Sequence, residues 1–200
     1  MARTQAADYE ERRESIVEKA AELYAERGFL GASLSDLAQV CGVSKSLIYH
    51  YYPSKEDILF DVMHSHVATL LTATEAVAAR SLAPKDSLRA ITMEFMKHYV
   101  GAAARQKVLL NELNHLPKDR RAIIVDIQHK LIDFMQDILA KLRPDLGGRA
   151  PLRRPAAMLY FGMINWTHTW MDASGQAKPA KIAELAANIF LDGVLDADMP

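Results

Sequence analysis

The sequence predicts an all-α fold, and three observations carry that expectation. Apolar residues recur at helical spacing along nearly the whole 200-residue chain. No run of β-branched residues alternates with polar ones, as half-buried strands would require. Serine–acid pairs three residues apart, Ser33/Asp36 and Ser54/Asp57, stand where apolar stripes begin, the spacing that satisfies the orphan N–H groups of a helix start.

The first helix is predicted from about Tyr9 to Arg27, with Ile16, Ala20, Leu23 and Tyr24 on one face and Gly28 as its stop. Ser33 caps a short second helix whose inward stripe is Leu34, Leu37 and Ala38. Cys41-Gly42-Val43 forms the next turn, where glycine accepts a positive φ that other residues resist. Ser44 caps a third short helix that ends before Pro53. Ser54 opens a long helix reaching about Ala79, with Ile58, Leu59 and Val62 inward. Further helices are predicted at about 85–104 and through Leu109, Leu110 and Leu113 to Pro117. Residues 118–142 repeat Ile123, Ile124, Ile127, Leu131, Phe134, Ile138 and Leu142 at helical spacing. The Pro-, Gly- and Arg-rich stretch 143–155 is a loop, and helices over about 155–173 and 179–195 complete nine. Organisation divides at residue 53: three short helices over 1–53, then a six-helix body over 54–200.

Composition excludes several functions. Half the residues are hydrophobic, enough to bury a real core. A formal net charge of −1 gives no global basic field, so an anionic partner must be held locally. Residues 1–53 carry six Lys/Arg against eight acids, most of the acids on the first helix. The lone Cys41 rules out an internal disulfide and a cysteine zinc cage; it fits a small buried hydrophobe in a reducing cytosol. The opening stretch lacks the apolar segment of a secretory signal, and the longest apolar run, 156–164, is far short of the ~20 residues that span a bilayer. A cytoplasmic location without membrane attachment is expected.

The stretch GVSKSLIYHYYPSKEDIL, residues 42–59, crowds tyrosines and a histidine between lysines. Two short helices about a glycine turn, with Ile48 and Tyr52 inward at i, i+4, have the pattern of a helix-turn-helix, whose second helix enters the DNA major groove. Lys45, Ser46, Tyr49 and His50, with Leu47 and Tyr51, then occupy the opposite surface and suit phosphates, base edges and thymine methyls. Lys55, in the first turn of the next helix, is placed to hold a phosphate. Periodicity alone also fits a second reading, in which the tyrosines cover the edge of the core with their hydroxyls in water.

The stretch GASLSDLAQVCGVSKSLIYHYYPSKEDIL closely resembles the DNA-binding half of TetR-family transcriptional regulators, with Gly28, Leu37, Ala38, Gly42, Val43, Ser44, Tyr49, Pro53, Lys55 and Leu59 in the characteristic places. The resemblance covers residues 10–60. It implies DNA-contact roles for Ser33, Ser35, Ser44, Lys45, Ser46, Leu47, Tyr49, His50, Tyr51 and Lys55. Two pairs depart from the usual pattern, Ser46-Leu47 and Tyr51-Tyr52. Both lie where operator sequence would be read, so the operator is not transferable from relatives.

The resemblance further implies an effector-binding and dimerisation body that pairs through its last two helices into a homodimer reading a palindromic double-stranded operator. The eighth helix is apolar nearly all round through Met158, Leu159, Phe161, Met163, Ile164, Trp166 and Trp170. Facing both its own core and a second subunit would bury it, with Gly162 allowing close approach and Ile182, Leu185, Ile189 and Phe190 of the ninth helix completing the interface. Met93, Met96, Tyr99, Leu109, Leu113, Phe134, Met163, Trp166 and Trp170 are candidates to line an apolar effector pocket, methionines giving it adaptable walls. Residues 109–146 look, more loosely, like the effector domains of TetR-like regulators of fatty-acid, phenylacetate or steroid catabolism, whose inducers are often acyl-CoA thioesters. Such a ligand's phosphates would need cationic side chains, for which Arg105, Lys107, Arg120, Arg121, Arg153 and Arg154 are candidates.

No catalytic residue, cofactor or metal is expected. Two other readings stay open at this stage. Glu112-x-x-His115 has the spacing of helical di-iron carboxylate enzymes, but its helix ends at Pro117 and no second Glu-x-x-His exists. A helix-turn-helix factor without a small-molecule effector fits the same motif.

Overall fold

The computed structural model describes residues 2–144, 150–171, 175 and 177–196. Among them are nine α-helices and two 3₁₀ turns, without strands: α1 Ala2–Gly31, α2 Leu34–Cys41, α3 Lys45–Tyr51, α4 Lys55–Ala79, α5 Pro84–Gly101, α6 Ala103–Glu112, α7 Lys118–Leu142, α8 Ala150–Asn165 and α9 Pro179–Asp196, the turns being Leu113–His115 and Trp166–Thr169. The chain divides into two compact units, residues 1–66 with 104–125 and residues 67–103 with 126–200.

In the first unit α2 packs on α1 and on α3. Ile16, Ala20, Leu23 and Tyr24 of α1, Leu37 and Ala38 of α2, Ile48 of α3, and Ile58, Leu59 and Val62 of α4 are buried as the spacing predicts; Val17 joins them, and Leu34, also expected inward, is half-buried. Gly28 breaks α1 with φ 73° and ψ 160°. That combination is essentially confined to glycine, which explains why the first helical pattern stops there. Ser33 caps α2 in a full capping box: its hydroxyl accepts the Asp36 N–H at 3.1 Å, and its own N–H donates to the Asp36 carboxylate at 2.8 Å. Gly42 takes φ 66° and ψ 31°, and the Val43 N–H closes onto the Ala38 carbonyl, a left-handed helix stop. Ser54 and Asp57 cap α4 as the sequence predicts.

The second unit is built on α5, α8 and α9, with α5 packed on both of the others. Leu88, Ile91, Phe95 and Met96 of α5, Met135, Ile138 and Leu139 of α7, Ala157, Tyr160 and Ile164 of α8, and Ala187 and Leu191 of α9 share its core. The buried Tyr160 and Thr92 hydroxyls satisfy each other at 2.8 Å.

Several expectations are corrected. α1 begins well before Tyr9. The predicted 85–104 helix breaks at Ala102, where φ is −135°. Ile123 stands exposed at the edge of its stripe, whereas Ile124 is fully buried. Of the predicted loop, 145–149 lie outside the described residues and 150–155 are helical, Pro155 being accommodated inside α8. α8 ends at Asn165, so Trp166 lies in the following 3₁₀ turn and Trp170 at that turn's end.

Candidate nucleic-acid interface

The third helix is only seven residues long, and its orientation is set from one side. Ile48 and Tyr52 are buried, as their i, i+4 spacing predicts, and the Ser44 hydroxyl accepts the Leu47 N–H at 3.2 Å to start the helix. The opposite surface carries Lys45, Ser46, Tyr49 and His50, all exposed, and Ser35 is exposed on α2. The Lys45 ammonium lies 5.8 Å from the Tyr49 ring centre, one helical turn away, so cation and aromatic form one patch. Leu47 and Tyr51 are half-buried. The Tyr51 ring packs at 4.6 Å on Tyr9 and at 5.3 Å, edge-on, on His50.

Not every expected contact faces outward. The Ser33 and Ser44 hydroxyls are engaged in helix caps. Lys55 turns inward: its ammonium donates to the Phe29 carbonyl and sits 4.0 Å from the Phe29 ring centre. Partial burial lowers its pKa. Of the second pair that departs from the family pattern, Tyr51-Tyr52, Tyr52 is interior, because its ring fills the α3 end of the core. It therefore does not present itself to a base.

Sequence reasoning missed Tyr9, which α1 brings to the recognition surface, and the polar contacts that seat α4. Asp57, Asp61 and Ser65 recur every fourth residue along α4, and an arginine from a different helix reaches each. Arg120 of α7 pairs with Asp57, Arg13 of α1 with Asp61, and Arg105 of α6 donates to Ser65 at 3.2 Å while pairing with Glu14. Residues so far apart in the chain leave no local pattern to read.

The expected effector residues fall in both units. Met96 and Tyr99 belong to the second unit's core, with Phe134 and Met163 packed against it; Met93, Trp166 and Trp170 are exposed. In the first unit Leu109 is buried, Leu113 half-buried and Arg121 exposed, and Arg105 and Arg120 already hold the carboxylates just named. Glu112 and His115 contact each other at 3.3 Å, and among the described residues no cluster of three or more metal-ligating side chains forms.

A capped helix, a left-handed glycine turn and a short second helix with an exposed cationic and hydroxyl-bearing face define a helix-turn-helix DNA-binding protein. Residues 16–62 match the family described as bacterial regulatory proteins, tetR family, and residues 81–194 match the tetracyclin repressor-like C-terminal domain. The chain belongs to the TetR family of transcriptional regulators and is a DNA-binding regulator, not an enzyme. A TetR-family regulator from Bordetella parapertussis 12822 shares 38% identity, with 94% of this chain and 98% of that one covered and a TM-score of 0.88. The HTH-type transcriptional repressor KstR2 of Rhodococcus jostii is 20% identical over 92% of this chain and 91% of its own length. AibR, solved with isovaleryl coenzyme A and operator DNA, is 23% identical over 89% of this chain and 97% of its own, with a TM-score of 0.75, a likeness of fold. Among the described residues no helix is long and apolar enough to cross a membrane.

Proposed function

We propose that the protein is a cytoplasmic repressor that binds a palindromic operator as a homodimer and is released by a small apolar or acyl-CoA-type effector. The observation that carries the DNA reading is the outward face of α3, where Lys45, Ser46, Tyr49 and His50 stand free of the core. Residues 1–53 are the reading part and 54–200 the effector and dimer part. Ser35 and the capped start of α2 at Ser33 add phosphate contacts, as does the capped start of α3 at Ser44, through backbone N–H groups. Leu47 and Tyr51 border the reading face, and Lys55 braces it from inside.

Dimerisation is supported by a second observation. Leu159 is 73% exposed on α8 and Trp166 65% exposed just beyond it, while Leu185 and Ile189 stand 55% and 57% exposed on α9. Large apolar side chains massed on two neighbouring helices suit burial against a second copy. Gly162 and Gly193, on the same helices, have open space where a side chain would be, which permits close approach. The effector reading is supported by the isovaleryl coenzyme A bound by AibR, with Met96, Tyr99, Phe134 and Met163, in or against the second unit's core, as its apolar candidates.

Lys45→Ala or Tyr49→Phe is expected to weaken operator binding by roughly 1–3 kcal/mol with helicity and oligomeric state unchanged, read by fluorescence anisotropy. Unchanged affinity in both variants would remove α3 from the reading role. The function itself is tested by selecting random duplex DNA with the purified protein and challenging the selected pool with a panel of acyl-CoAs. A palindrome released by one thioester supports the whole proposal. A palindrome that none releases keeps the regulator and discards the ligand class, and absence of enrichment at low salt overturns the DNA reading.

A further inference from the structure

Tyr52 does more than fill the core. Its hydroxyl donates to Asp61 at 2.8 Å and accepts from the Arg13 Nε at 3.2 Å, and Arg13 closes the triangle by pairing with Asp61. The Arg13 guanidinium also lies 5.5 Å from the Tyr52 ring centre. A phenol has one proton to give and readily accepts one in return, so this hydroxyl is fully used. Burial, and then the bond to Asp61, raise its pKa, keeping it a neutral donor.

Position makes the cluster more than a stabilising network. Tyr52 is the residue at which α3 ends, its N–H bonding back to Ile48 at 2.9 Å. Within the seven-residue α3 only Ile48 is fully buried, with Tyr51 resting on Tyr9 of α1 at the surface. The phenol adds a polar attachment beneath, joined to α1 through Arg13 and to α4 through Asp61. We propose that Arg13, Tyr52 and Asp61 form a positioning device that sets the angle at which α3 presents its reading face, and that Tyr52 is thereby a determinant of operator discrimination without touching DNA. The proposal rests on α3 being the operator-reading helix.

The test compares affinity for the selected operator with affinity for a scrambled duplex of equal length, for wild type, Tyr52→Phe, Asp61→Asn and the double variant. Tyr52→Phe removes one oxygen from a ring that stays buried, so the fold survives. Each single substitution is expected to lower operator affinity by roughly threefold to tenfold, with scrambled-duplex affinity and circular dichroism unchanged. The double variant should lose little more than either single, because the two groups act as a unit. A filler role would lower melting temperature and leave the operator-to-scrambled ratio at the wild-type value; that result, or additive losses in the double variant, overturns the proposal. Lys45→Ala run alongside reports separately on the reading helix. Unchanged operator affinity there removes the reading helix and the proposal with it, whereas a loss in Lys45→Ala beside a wild-type ratio in Tyr52→Phe overturns the positioning device alone.

Discussion

Replacing Leu159 and Ile189 together by aspartate is expected to yield a folded monomer whose operator affinity falls by about a hundredfold or more. Both side chains are largely exposed in the single subunit, on α8 and α9 respectively, so neither change leaves a hole in the core. Exposed substitutions of this kind usually alter subunit stability by no more than about 0.5 kcal/mol. In a dimer closed through these helices the same changes bury four carboxylates without partners, which no apolar interface of ordinary size tolerates. The loss of DNA affinity follows from geometry alone. Two linked reading helices bind two half-sites as one event, an avidity worth roughly a factor of 10² to 10⁴ that separate subunits forgo. Light scattering after size exclusion gives the mass, and anisotropy gives the affinity. A variant that still elutes as a dimer would rule out this face as the contact.

Gly28→Ala is expected to be the most damaging small substitution in the reading unit. At φ 73° and ψ 160° an alanine would sit in a region that residues with a Cβ avoid at a cost of about 1–3 kcal/mol. Space is not the obstacle, because an added Cβ would meet only the Glu112 carboxylate, at 3.6 Å. The penalty is therefore in the backbone and cannot be relieved by repacking. Gly42→Ala provides the internal control: its φ of 66° and ψ of 31° lie in the left-handed helical region, and its Cβ would point into open space. That change should cost about 1 kcal/mol. At roughly 2–4 °C of melting temperature per kcal/mol in a chain of this size, thermal unfolding followed by circular dichroism separates the two. An equal or smaller drop for Gly28→Ala would show that residues 28–31 can reach their path by another conformation. The break also aims the Phe29 carbonyl at Lys55, so its loss should free that ammonium.

What could be read from the chain, and what could not, follows from the range of the interactions. Caps are local, so Ser33/Asp36, Ser44 and Ser54/Asp57 announce three helix starts, and the glycines at 28 and 42 mark two real departures from helical backbone. The inward faces of α1 to α4 follow from spacing. The end of α8 did not, because apolar residues continue past it. Beyond Ile164 the Thr167 hydroxyl bonds the Ile164 carbonyl at 2.6 Å, His168 bonds that of Asn165 at 2.7 Å, and the Thr169 hydroxyl bonds that of Trp166 at 2.8 Å. Such side-chain bonds compete with the helical ladder and tighten the chain into a 3₁₀ turn. The inward turn of Lys55 depends on where the Phe29 carbonyl points, and the arginine partners of α4 lie between 40 and 63 residues away along the sequence. Neither has a local signal.

The three arginine contacts on α4 bear on how binding data should be read. Two of them, Arg13–Asp61 and Arg120–Asp57, are ion pairs partly exposed to solvent, as is the Arg105–Glu14 pair beside the third contact, so mobile ions weaken these pairs together as ionic strength rises. The usual analysis assigns the whole dependence of DNA affinity on salt to counterions displaced from phosphates. If α4 loosens as those pairs weaken, part of the slope arises inside the protein, and a phosphate count taken from the slope exceeds the number of cations that meet the DNA backbone.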